Sequence, residues 1–331
     1  MKNSIKLLLG TLCLSSSMAY AAYPEKDIQG IIQWSAGGAT DTVMRSVTPK
    51  AEEVLGGDFI LTNRPGGVGV IATKYVYAKK NDGYTVLMGA ENPQLYKVMG
   101  LANIDYSDLV PINVLAQAAS IFVVRSDAPY NNIKEFVDYV QAHPREVKVG
   151  STGPGGLPSI MMALLNSQAK LDVKTIPYNG DGPAITALLG GAIDMEPATF
   201  SAAKEYIKSG QLKVIGLLDK TANADLPDVK PITAYYPDLA PQLPYSPFFG
   251  VFVKEGTPQE AIEKLTHAFN VAADSAEFRN ILKQRGLSVL NLTGDAAKQY
   301  LNRFRSVASW LVYENGIAKH SPEEFDIPRA Q

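Results

Sequence analysis

Trp34-Ser35-Ala36-Gly37-Gly38-Ala39-Thr40-Asp41 lies between a predicted strand and a predicted helix. Gly37 and Gly38 let the chain turn tightly and bring its backbone close to a ligand. N–H groups at such a turn, reinforced by the dipole of the next helix, attract a carboxylate or a phosphate. Thr40 or Asp41 can cap that helix, so an ordinary βα turn would use the same residues. Gly150-Ser151-Thr152-Gly153-Pro154-Gly155-Gly156 repeats the pattern further along. No Lys-Ser/Thr follows its glycines, so it is not a P-loop. Pro158 stands where a dinucleotide fingerprint needs its third glycine. What remains is a nest of N–H donors at a helix start. Two such turns, one in each predicted half, suggest a ligand held in a cleft between them.

Three further segments follow predicted strands: Gly89-Ala90-Glu91-Asn92-Pro93, Pro177-Tyr178-Asn179-Gly180-Asp181 and Pro197-Ala198-Thr199-Phe200. Open α/β sheets bind ligands beyond the carboxyl ends of their strands. The first half therefore offers Ser35, Ala36, Gly37, Gly38 and Asp41, with Glu91 and Asn92, as ligand contacts. The second offers Ser151, Thr152, Gly155 and Gly156, with Tyr178 and Thr199. Ordinary turn chemistry would also account for Asn92, Tyr178 and Thr199. Asn63-Arg64-Pro65-Gly66-Gly67 and Asn81-Asp82-Gly83-Tyr84 read as structural turns.

Motifs for catalysis are few. His143, His267 and His320 are scattered and have no second His or Cys at i+3 or i+4. There is no Gly-x-Ser-x-Gly elbow. Ser201-Ala202-Ala203-Lys204 matches Ser-x-x-Lys, but its companions Ser-Asp-Asn and Lys-Thr-Gly are missing. No catalytic residue, metal ligand or cofactor is assigned.

These turns need elements to position them. Strand-like runs at 28–34, 58–62 and 85–89 alternate with helical patterns at 42–55 and 69–78. Runs at 148–151, 173–177, 193–196 and 213–218 alternate with helical patterns at 157–168, 182–189 and 201–208. Helices are predicted at 257–274, 276–284 and 295–313. This rhythm predicts an α/β fold with mostly parallel sheets. Pro49 should kink or split the first helix. Residues 219–247 read as an ordered connection, and the polar tail 319–331 as peripheral. Ile121 to Arg125 and Phe248 to Lys254 are each an apolar strand followed by a short turn, a proline and an amphipathic helix. If they are paired crossover strands, residues 125–247 form one lobe and residues 22–124 with 248–331 form the other.

Lys2 and Lys6 give a positive start, residues Ile5 to Leu14 are mostly apolar, and Ala19-Tyr20-Ala21 offers a small-x-small cleavage site. Residues 1–21 therefore read as a secretory signal peptide, cut after Ala21 or Ala22, and the protein as periplasmic. Cys13 falls in the removed segment, so the mature chain has no disulfide or thiolate. Removing Lys2 and Lys6 from 31 basic residues leaves 29 against 33 acidic ones, which argues against nucleic-acid binding. The roughly 310 residues left suit two domains.

From about Tyr23 to about Leu311 the chain resembles the extracytoplasmic receptors of tripartite tricarboxylate transporters, the Bug-type receptors. The resemblance rests on both glycine turns, Asn63 to Gly67, Asp82-Gly83-Tyr84-Thr85, Pro177-Tyr178-Asn179-Gly180 and Leu188-Leu189-Gly190-Gly191-Ala192-Ile193-Asp194. It implies a periplasmic binding protein type II-like fold, two α/β lobes joined by two crossover strands. It also implies a small organic acid gripped by backbone groups and ordered water, and membrane subunits that recognise the closed receptor; a monomer is the default expectation. Gly156 and Ser159 stand where the family often has Ser or Thr and then His, so selection at that end of the ligand differs. A secreted enzyme using Asp41 or Glu91 on a bound carboxylate, and a sensor feeding a membrane kinase, are the rival readings.

Overall fold

The computed structural model describes residues 23–243 and 245–329. The expected signal peptide and its cleavage site lie outside them. In chain order the first elements are β1 (Ile28–Ile32), α1 (Ala39–Leu55), β2 (Phe59–Asn63), α2 (Val70–Tyr77), β3 (Thr85–Ala90) and β4 (Leu109–Ala118). Next come β5 (Ser120–Arg125), α3 (Ile133–Ala142), β6 (Lys148–Ser151), α4 (Leu157–Gln168), β7 (Lys174–Pro177), α5 (Asp181–Leu189), β8 (Met195–Thr199), α6 (Phe200–Lys208) and β9 (Leu212–Leu217). The chain ends with β10 (Phe248–Lys254), α7 (Gln259–Asp274), α8 (Ala276–Arg285), β11 (Leu287–Leu292) and α9 (Gly294–Glu314).

The strands form two sheets, ordered β11-β4-β10-β3-β1-β2 and β7-β6-β8-β5-β9. In each, a three-stranded parallel unit meets antiparallel strands. β1 lies parallel to β2 and β3, and β10 antiparallel to β3. β6 lies parallel to β7 and β8, and β5 antiparallel to β8. Parallel units carry helices on their faces because their strands are buried on both sides. α1 follows that rule, burying Val43, Met44, Val47 and Ala51 on one stripe within the first core.

Five expectations change. The sheets are mixed rather than mostly parallel, since five of the nine strand pairings among the described residues are antiparallel. Ser120–Arg125 belongs to the second sheet, whereas Phe248–Lys254 belongs to the first, so the two are not paired. On its other side from β3, β10 pairs with β4, which the sequence reading omitted. Pro111 obscures β4, and it sits beside a register shift between Val251 and Phe252, where a strand tolerates proline. Pro49 does not split α1, which runs unbroken to Leu55. The buried stripe of α1 outweighs the roughly 3 kcal/mol that an interior proline costs. The tail is not peripheral either. Ile327 joins the second core, Pro322 is buried, and Trp310 Nε1 donates to the Ile327 carbonyl at 3.2 Å. α9 therefore spans both halves, with Ala297 and Leu301 in one core and Leu311 and Val312 in another.

The chain passes from one sheet to the other through Ala119 and again through the segment before β10. The two passages bond to each other. Ala118 N donates to the Pro247 carbonyl at 3.0 Å, and Ser120 Oγ to the Tyr245 carbonyl at 2.9 Å.

Candidate functional site

Four helices begin at the gap between the sheets. α1 starts after Gly38, α4 after Gly156, α5 after Gly180 and α6 after Thr199, and no side chain caps any of them. An uncapped start leaves N–H groups without partners and a partial positive charge. Gly38, Ala39 and Thr40 line one cavity with Thr152, Leu157, Pro158, Gly180, Asp181 and Thr199. Ala90, Glu91 and Asn92 complete it from the end of β3, and Trp34, Pro247 and Phe249 add apolar surface. The cavity is about 40 Å³, room for a few waters. The two halves approach each other closely around it.

Direct contacts hold them together. Ser35 N donates to the Asn179 carbonyl at 3.3 Å, and Asn92 Nδ2 to the Gly155 carbonyl at 3.4 Å. A Cβ added at Gly182 would lie 2.8 Å from the Ala36 carbonyl oxygen and 3.5 Å from Gly38 N. α5 can therefore approach the first glycine turn this closely only because residue 182 lacks a side chain.

The electrostatics combine opposite signs. The helix starts are positive, yet the charged side chains lining the cavity are both acidic, Glu91 and Asp181. Glu91 is only 2 % exposed and accepts from Asn92 Nδ2 at 3.1 Å. Burial, with the Asp181 charge nearby, pushes its carboxyl up to about 8. Asp181 accepts from Thr199 N at 3.1 Å and Thr199 Oγ1 at 2.5 Å, and burial raises its carboxyl too. A third acid, Glu196, is buried against Gly150 and is raised by burial and by Asp181.

A buried amide fixes the floor. Gln33 Oε1 accepts from Ala90 N at 2.8 Å, and Gln33 Nε2 donates to Tyr96 Oη at 2.8 Å. Tyr96 Oη donates onward to the Val68 carbonyl, and Tyr106 Oη to that of Ala90. The residues just before Glu91 thus have their polar groups paired, as buried groups require.

Of the residues expected to touch ligand, Gly38, Glu91, Asn92, Thr152 and Thr199 line the cavity. The others do not. Ala36 and Gly37 are exposed at the outer edge, and Ser35 is half-buried beside Asn179. Asp41 turns away to pair with Arg45 at 2.8 Å, and it accepts from Asn63 Nδ2 at 2.9 Å and Gly37 N at 3.2 Å. It holds the turn in shape. Ser151 Oγ bonds Ser159 Oγ at 2.9 Å, and Gly155 packs near Met99. Gly156 caps α4, and Tyr178 packs into the core beside α5. The glycine of the first turn held at positive φ is Gly37, not Gly38, whose added Cβ would meet nothing nearer than 3.6 Å. Trp34, Thr40, Leu157 and Asp181 were not singled out as ligand contacts. Asp181 stood in a quoted segment, but a helix-opening aspartate looks like ordinary capping.

Fold and cavity together define a two-lobed α/β solute-binding protein of the type II-like periplasmic class. Residues 43–309 match the model of the tripartite tricarboxylate transporter family receptors, TctC, and the chain belongs to that family. It is 26 % identical to the protein BugT of Bordetella pertussis, over 90 % of this chain and 91 % of that one. The structure of the periplasmic binding protein BugD superposes with a TM-score of 0.84 at 24 % identity, covering 90 % of this chain and all of that one. MatC of Rhodopseudomonas palustris, solved with bound malate, gives 0.81 at 25 % identity, covering 88 % of this chain and all of that one.

Proposed function

We propose that this chain captures a small organic acid in the periplasm and delivers it, unaltered, to the membrane subunits of a tripartite transporter. The observation that carries the reading is the convergence of four uncapped helix starts, from both halves, on one cavity. Each such terminus is worth about 0.3–2 kcal/mol toward an anion. Micromolar affinity needs about 8 kcal/mol. Hydrogen bonds and the exclusion of water on closure supply the remainder. Family membership and the malate bound to MatC support the same ligand class.

The lobes in this reading are residues 23–118 with 248–329, and residues 120–243, turning about Ala119 and Pro247. This moves the expected first boundary back by several residues. The receptor works as a monomer, and the membrane subunits recognise its closed form.

A thermal-shift panel of small carboxylic acids, followed by calorimetry and recovery of the ligand, tests the proposal. At least one acid should bind with micromolar affinity and be recovered intact. At a hundred times its dissociation constant it should stabilise the protein by about 2.7 kcal/mol. Consumption of the acid would instead favour the enzyme reading, in which Glu91 acts as a perturbed acid or base. Failure of every carboxylate would end the receptor reading.

A further inference from the structure

The cavity is poorly suited to a plain dicarboxylate. Glu91 and Asp181 line it, and no lysine, arginine or histidine does. A second ionised carboxylate on the ligand would oppose ionisation of these two carboxyl groups, with the screening water excluded, whereas a cation would favour it. Asn92 adds to the mismatch. It is 1 % exposed, and its Nδ2 is committed to Glu91 Oε1 and to the Gly155 carbonyl. That leaves Asn92 Oδ1, an acceptor, buried at the cavity without a partner among the described residues. A buried acceptor without a donor costs about 1–3 kcal/mol. Glu196, which does not line the cavity, is a third buried carboxyl nearby, with both oxygens unpartnered among the described residues. Its neighbour in the chain's charge pattern is Asp181, not a cation.

The donors sit elsewhere in the same cavity, at the uncapped starts of α1, α4, α5 and α6. Pro158 removes one N–H from α4, Phe200 N of α6 already donates to the Ala119 carbonyl, and Asp181 opens α5, so the start of α1 is the strongest anion end. The cavity therefore has an anion-seeking part made of backbone and a cation-seeking part made of Glu91, Asp181 and Asn92 Oδ1. We propose that its ligand is a short zwitterion, a carboxylate with an ammonium or other cationic nitrogen a few bonds away. The carboxylate sits at the helix starts, and the cationic nitrogen donates to Glu91, Asp181 and Asn92 Oδ1. This rests on the receptor reading and narrows it to a ligand class. The small closed volume favours a short molecule, and the ammonium supplies the donors that Asn92 lacks.

Calorimetry on the intact mature protein with two matched series tests it. One series is the α- and ω-amino acids from glycine to 6-aminohexanoate. The other is the dicarboxylates from malonate to adipate, with the simple monocarboxylates as a baseline. The best amino acid should bind at least ~30-fold tighter than the best dicarboxylate. Glu91→Gln and Asp181→Asn should each weaken the amino acid ~10-fold or more, and weaken it more than they weaken the monocarboxylates. Together they should erase the preference. These variants remove an ionisable carboxyl while keeping its shape, and thermal melts would show whether they fold. Tighter binding of a dicarboxylate overturns the zwitterion proposal and leaves the receptor reading intact. So does an amino-acid preference that survives both substitutions. No binding by any acid of any class overturns both.

Discussion

Gly182→Val should abolish high-affinity ligand binding while leaving the protein folded. Gly182 lies in the first turn of α5, where valine is tolerated, and glycine is itself a poor helix former. Any Cβ there meets the Ala36 carbonyl oxygen at 2.8 Å, with the backbone of Gly37 and Gly38 just behind it. Backbone cannot give way as a flexible side chain can. The added methyl groups would therefore keep the α5 end away from the first glycine turn. The α1 start would then no longer face the α5 and α6 starts across an enclosed space. A ligand can drive closure only as far as it prefers the closed state. A penalty of about 3 kcal/mol on closure lowers affinity by about 100-fold. Calorimetry should show that loss, and solution scattering should find the variant no more compact with saturating ligand than without. Wild-type affinity in Gly182→Val would mean that binding does not need this contact.

The second large effect concerns pH. Glu91 moves from its ordinary value of 4.5 to about 8 in the folded, ligand-free protein. Its raised value means that the folded state holds the proton more tightly than the unfolded chain does. Between those two values the unfolded chain releases the proton and the folded chain keeps it, so stability falls as pH rises. The contribution is fully present below about 4.5 and lost by about 8. The shift corresponds to a ceiling of about 5 kcal/mol, and about 3 kcal/mol is a realistic loss once the cavity takes up water. Asp181 and Glu196 move in the same direction and steepen the trend. Glu91→Gln, which carries no charge at any pH, isolates the effect. Urea titrations at pH 5 and pH 8 should show Glu91→Gln gaining on the wild type by about 3 kcal/mol across the interval. A constant difference between the two proteins would show that Glu91 is not held in its neutral form.

The α/β rhythm was readable because each βα unit carries its own local signals. The helix Leu157–Gln168 and the strand Lys148–Ser151 fall where apolar spacing and the preceding glycines put them. β4 was not readable, because Pro111 and a run without alternation hide a strand whose pairing depends on β10, some 130 residues away. That Ser120–Arg125 and Phe248–Lys254 fall in different sheets was unreadable for the same reason. Whether Ser120–Arg125 joins the first sheet or the second depends on partners that the segment itself does not encode. Within the cavity, the turns at Gly38 and Thr152 announced themselves through glycine and helix-start chemistry. Asp41 looked equally exposed to ligand, yet Arg45, one helical turn on, and Asn63, at the end of β2, draw it away. Glu196 carried no signal at all, since a glutamate in a short strand reads as a solvent-facing residue. Its burial depends on Gly150 from the neighbouring strand leaving room for it.

One structure would settle whether backbone amides from both lobes enclose the ligand. Crystals of the protein with its tightest-binding acid should show a carboxylate oxygen within about 3 Å of an N–H at Gly38, Ala39 or Thr40, with the second lobe closed over it. A carboxylate held outside this space, or held by a lysine or arginine side chain, would contradict that account.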